Sequence, residues 1–119
     1  AESLTERQKY ALAVETFYGE VCNGGLSQYL VNESGAYANW AADGFRAIGI
    51  PEFAQIAARV QALFPEGLVP EDHEARLDIV KELDDAVLEE IEKPFWERYF
   101  ADKSEIRRKL YAYLTTSGG

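Results

Sequence analysis

Apolar residues recur at helical intervals along nearly the whole chain, and Gly, Pro and Asn punctuate them. Leu4, Ala11, Val14, Phe17, Tyr18 and Val21 predict a first helix from about Thr5 to Val21. Ser3 and Glu6 stand at capping-box spacing before it. Asn23-Gly24-Gly25 interrupts the pattern, because paired glycines are costly inside a helix and cheap at a turn. Leu26, Tyr29 and Leu30 predict a short second helix to Val31, with Asn32-Glu33-Ser34-Gly35 as the next turn. A third helix, about Tyr37 to Ile48, carries the small-residue face Ala38, Ala41, Ala42 and Phe45. Gly49 fits the position after its end, and Pro51 the start of a fourth helix. The fourth carries Phe53, Ile56, Ala57, Val60, Leu63 and Phe64, and Pro65 ends it. From Asp72 a long pattern runs to about Glu92, with Leu77, Val80, Leu83, Val87, Leu88 and Ile91 facing inward. Lys93-Pro94 is an interruption or kink, followed by the aromatic group Phe95, Trp96, Tyr99 and Phe100, read as core in preference to a dimer contact. A last helix begins at Asp102, with Glu105 at capping-box spacing, and buries Ile106, Leu110, Tyr113 and Leu114.

No strand alternation and no 20–50-residue repeat interrupts this series. The expectation is one compact all-α domain over residues 1–119, a bundle of about five to seven helices. Length and composition agree: 119 residues with 47% hydrophobic content form a core without disulfides or metals.

Charge changes the picture more than composition does. The net charge is −9, and it is unevenly spread. Residues 66–105 hold 14 acids against 5 bases, and residues 106–119 hold three bases and no acid. Direct binding to nucleic acid or to an anionic membrane is disfavoured, since both depend on basic side chains. Positively charged partners are favoured. No apolar run reaches the ~20 residues of a membrane span, and the first residues show no export-signal pattern, so the expected location is cytoplasmic.

Candidate chemistry is sparse. Cys22, the sole cysteine, sits in an apolar helical pattern and reads as a small buried hydrophobe in preference to a reactive thiol. His73, the sole histidine, lies in an acidic stretch and reads as a solvent-facing residue at a helix start. One histidine and one cysteine make no closed zinc site, no di-iron carboxylate set and no nucleophile–histidine relay. No cofactor, metal or catalytic residue is expected, and the protein reads as a non-enzyme. Asn23-Gly24-Gly25 is a structural turn in preference to a phosphate cradle.

One surface stands out. Glu71, Glu74, Asp78, Glu82, Asp85, Glu89 and Glu92 follow spacings of 3, 4, 4, 3, 4 and 3. At about 100° per residue they fall within an arc of roughly 80°, opposite the apolar positions. On one continuous helix they form a line about 32 Å long, close to one turn of B-DNA. Like charges at these spacings repel, by a few tenths of a kcal/mol per pair. An ordinary solvated face mixes Glu with Lys, so the uniform sign points toward use by a basic partner, against the commoner reading of such a stripe as a solvated outer face. Asp84 projects to the apolar side and marks a candidate break in the line.

Three blocks resemble a known family. Glu20-Val21-Cys22-Asn23-Gly24-Gly25-Leu26-Ser27-Gln28-Tyr29 followed by Asn32-Glu33-Ser34-Gly35 is similar to the Asn-Gly-Gly-x-x-Gln-aromatic…Asn-x-x-Gly signature of the domain of neisserial DNA-mimic proteins. Ala47-Ile48-Gly49 with Ala62-Leu63-Phe64-Pro65, and Leu83-Asp84-Asp85 with Tyr111-Ala112-Tyr113-Leu114, resemble its later parts. The resemblance implies an all-α fold, often a homodimer, without catalysis, whose acids imitate DNA phosphates on the DNA-binding face of a transcription factor. It also implies a fold signature: Asn23 as a helix cap, Gly24 and Gly25 as the turn, Gln28 and Asn32 as polar ties, with Tyr29 and Gly35 completing the pattern. The expected partner is a basic DNA-binding protein, bound through the seven-acid face. The alternatives are an immunity-type inhibitor of a basic enzyme such as a nuclease, and a helical domain with no mimic role.

Overall fold

The computed structural model describes residues 4–116, apart from the side chain of Ser34. Among the described residues there are six α-helices and two 3₁₀ turns, with no strand. The helices are α1 (Glu6–Val31), α2 (Ala38–Ala47), α3 (Pro51–Gln61), α4 (His73–Val80), α5 (Asp85–Ala101) and α6 (Glu105–Thr115).

Helix α1 carries the frame. Its N-terminus is closed by a capping box in which Thr5 accepts from the Gln8 N–H and the Gln8 side chain accepts from the Thr5 N–H. The box is thus two residues later than the Ser3–Glu6 spacing implied. Ser3 lies outside the described residues, and Leu4 is exposed ahead of the helix. The break expected across Asn23-Gly24-Gly25 narrows to Gly25 alone, at φ 81° and ψ −177°. One glycine with positive φ redirects the axis while helix resumes at once on either side.

Helix α1 packs against α2, α4, α5 and α6, while α3 bridges α2 and α5. The core runs through rings from four helices. Phe17 of α1 meets Tyr29 at 4.9 Å, Phe45 of α2 at 5.4 Å and Phe95 of α5 at 6.1 Å. Phe53 of α3 meets Phe45 and Phe95 at 5.4 and 5.2 Å. Edge-on and tilted ring pairs of this kind add to the burial of aromatic area. Ala38, Ala41, Ala42 and Gly44 let α2 approach α1 closely, since a side-chain carbon at Gly44 would meet Val14 at 2.9 Å.

The long helix expected from Asp72 to Glu92 is two helices. A turn over residues 81–84 separates α4 from α5, and Asp84 caps α5 by accepting from the Ala86 N–H at 2.9 Å. The apolar spacing carries across this turn, which hides it from periodicity. Val80, Leu88 and Ile91 are buried as expected, Leu77 and Leu83 are half-buried, and Val87 is exposed. Pro94 does not interrupt α5, which continues to Ala101. Phe95 is core, Trp96 and Tyr99 are half-buried, and Phe100 is exposed. In α6 only Ile106 of the expected apolar set is fully buried, and Leu114 is exposed. Glu105 does not cap α6. It is buried between Arg98, with two contacts of 2.8 Å, and Lys109 at 2.9 Å. Among the described residues no helix is long and apolar enough to cross a membrane.

Candidate functional site: a bent helix and an acidic face

The bend in α1 frees backbone groups that need partners. The Leu26 N–H, at the start of the second half, donates to Glu92 Oε1 at 2.7 Å. Glu92 Oε2 accepts from the indole Nε1–H of Trp96 at 2.6 Å, one turn further along α5. One carboxylate therefore ties the bend to α5. A side-chain carbon at Gly25 would sit 2.9 Å from Glu92 Oε1, so the glycine serves both the positive φ and this close approach. Asn23, expected as the cap, is exposed within the first half of α1, and Glu92 takes that role from outside the segment.

Glu20 ties the two halves of α1. It accepts from Asn32 Nδ2 and from Gln28 Nε2, the latter at 3.4 Å. The Gln28 side chain lies over Gly24, where an added carbon would be 2.1 Å from Gln28 Oε1. Gly24 thus leaves the space that Gln28 fills. Tyr29 is fully buried, and burial pushes its phenol pKa up against the lowering influence of Arg76.

Arg76 closes the far end of α1. It is 1% exposed, and its guanidinium donates to the carbonyls of Leu30 at 2.7 Å, Asn32 at 2.9 Å, Pro70 at 2.9 Å and Glu71 at 3.1 Å. A cation is favoured where carbonyls converge at a helix C-terminus. Burial lowers the Arg76 pKa, and Tyr29 and Asp72 act against that lowering. Gly35 is required here, because a side-chain carbon would meet Arg76 Nε at 2.6 Å and the Leu30 carbonyl at 2.9 Å. His73 Nε2 donates to the Val31 carbonyl at 2.8 Å while the ring stays exposed. Helix α4 therefore caps α1 through His73 and Arg76, and its other side faces outward.

The Asn-Gly-Gly…Gln…Asn…Gly pattern is thereby the wiring of one bent helix. The profile of the DMP19-like protein family matches residues 2–117. The chain belongs to the DMP19-like family. No curated protein and no solved structure matches it.

On this DMP19-like frame the seven acids are not one straight line. Glu71 lies in the connection before α4, Glu74 and Asp78 lie on α4, Glu82 lies in the intervening turn, and Asp85 and Glu89 lie on α5, all exposed. Glu92 departs from the set because both its oxygens are committed to Leu26 and Trp96. Asp78 pairs with Lys81 at 3.3 Å. Among the described residues Glu71, Glu74, Glu82, Asp85 and Glu89 take part in no ion pair. The remaining pairs lie elsewhere, on α2, on α6 and around Arg98.

Asp85 and Glu89 overlook a cleft of about 480 Å³ between the bend and α5, walled by Gly24, Ser27 and Trp96. Cys22 borders it half-buried; burial pushes its thiol pKa up, against a hydrogen bond from Tyr99 and the charge of Arg107. Sequence reasoning missed Glu20 and Arg76. Arg76 carried a signal, since at about 100° per residue it projects to the apolar side of the helical pattern.

Proposed function

We propose that this protein is a non-enzymatic interaction protein whose α4–α5 carboxylates engage a basic DNA-binding protein in place of duplex phosphates. One observation carries the reading: five exposed carboxylates, Glu71, Glu74, Glu82, Asp85 and Glu89, lie along consecutive elements without a basic partner among the described residues. Like charges left uncompensated cost stability, and complementary charge on a partner removes that cost while speeding encounter. The bend at residues 81–84 favours a curved phosphate path over a straight one, with Glu92 outside the set.

The test is capture from native lysate at low salt with elution by rising salt, followed by competition with duplex DNA for the captured protein. A DNA-binding protein that releases DNA as this chain is added supports the proposal. Reversal of Glu74, Glu82 and Glu89 to Lys should abolish the competition with helicity unchanged. Retained competition in that variant would sink the reading, and inhibition of an enzyme without DNA displacement would replace it with an immunity-type role.

A further inference from the structure

The end of α5 exposes large rings beside the acidic face. Phe100 is 63% exposed and stacks on half-buried Trp96 at 5.7 Å and 26°. A second cleft of about 380 Å³ runs along this pair and shares Glu89, Glu92 and Trp96 with the cleft at the bend. Trp96 is therefore the ridge between them. Glu89 and Glu97, both exposed, rim the shelf, with exposed Lys93 midway between them along α5. The shelf already holds a cation of the chain itself: Lys103 Nζ lies 5.4 Å from the Phe100 ring centre. Aromatic area that the chain leaves exposed, with a cation seated on it and acids around it, matches one kind of side chain. A guanidinium stacks on ring faces, offers a planar fork to carboxylates and sheds water more readily than an ammonium.

Resting on the binding role proposed above, we propose that the Trp96–Phe100 shelf docks an arginine from a basic segment of the partner, with its guanidinium against the rings and paired to Glu89 and Glu97. The α4 acids then supply long-range attraction, and the shelf supplies a short-range contact that salt screens less.

The test is a titration of the ¹⁵N-labelled full chain with the peptide acetyl-Gly-Arg-Leu-Arg-Gly-amide, followed by NMR. Saturable shifts are expected at the Trp96 indole N–H and at the amides of residues 97–103. Phe100→Ala should weaken binding by about two- to fivefold, the range of an exposed cation–ring contact, with its melting curve unchanged because the side chain is largely in water. Glu97→Gln should weaken it similarly, a lysine peptide should bind less tightly, and a citrulline peptide should not saturate. Absence of saturation at millimolar arginine peptide overturns the shelf. So does equal affinity in Phe100→Ala, or shifts spread evenly over Glu71, Glu74 and Glu82, which lie off the shelf. That last pattern leaves the acidic-face reading standing. Saturable docking on the shelf, with no DNA displaced in the capture experiment, leaves the shelf standing and removes the DNA-mimic reading.

Discussion

Glu92 accepts from α1 with one oxygen and from Trp96 of its own helix with the other, and this makes it sensitive to a one-atom change. A Glu92→Gln side chain keeps one acceptor for two donors, Leu26 N–H and Trp96 Nε1–H. One donor is then left without a partner, at a cost of about 1–3 kcal/mol. Urea unfolding followed by circular dichroism should show that loss, with a change in Trp emission. Gly35→Ala should cost a similar amount, about 1–3 kcal/mol, since the new methyl meets a guanidinium held by four carbonyls and cannot push it aside freely. The carboxylates at the α5–α6 junction predict the acid response. The Arg108 guanidinium, with Ser104, holds Asp102 at about 2, and Arg98 holds Glu105 below the usual carboxylate range. Both folded pKa values lie below their unfolded ones. Their stabilisation is therefore complete above the ordinary carboxylate range and is lost as pH falls from there toward about 2. Urea midpoints measured between neutral pH and pH about 2.5 should fall along that slope, and Glu105→Gln should flatten it.

Two prolines and one aspartate show what decides where an element ends. Pro51 starts α3, as its missing N–H allows at a first turn. Pro94 lies inside α5, where the lost hydrogen bond and ring clash cost about 3 kcal/mol. Leu88, Ile91 and Phe95 are buried on either side of it, and their packing outweighs that cost and holds the helix through. Asp84 does the opposite. Its side chain accepts from the Ala86 N–H and ends the pattern that the apolar spacing would have continued. Asp84→Ala should lower stability by about 0.5–2 kcal/mol, read from the midpoint of thermal or urea unfolding.

A net charge of −9 is spread over a body of 44 × 39 × 23 Å, and the face formed by α4, the turn after it and α5 carries exposed acids that take part in no ion pair among the described residues. Self-repulsion of that face is screened by salt. Raising NaCl from about 20 mM to 300 mM should therefore raise the melting temperature by about 2–5 °C. Glu89→Lys should raise it at low salt and reduce the salt response. A melting temperature that falls with salt would mean that the carboxylates are compensated.

The helical class was legible in the chain because a 3.6-residue apolar period is a local property, and so were a break within Asn23-Gly24-Gly25, Pro51 as a start and the uniform sign of the acids. Their use of space was not. A carboxylate at position 92 reads as one more exposed acid until α5 lies against the bend, where the free Leu26 N–H draws it in. Arg76 projects to the apolar side of its helix, but its purpose shows only when α4 meets the end of α1, where the carbonyls of Leu30, Val31 and Asn32 take donors from Arg76 and His73. Periodicity records which side of a helix is apolar, and it is blind to groups that become unsatisfied only when two elements meet. Tertiary packing alone decided which acids stay free, and it left Glu71, Glu74, Glu82, Asp85 and Glu89 facing water.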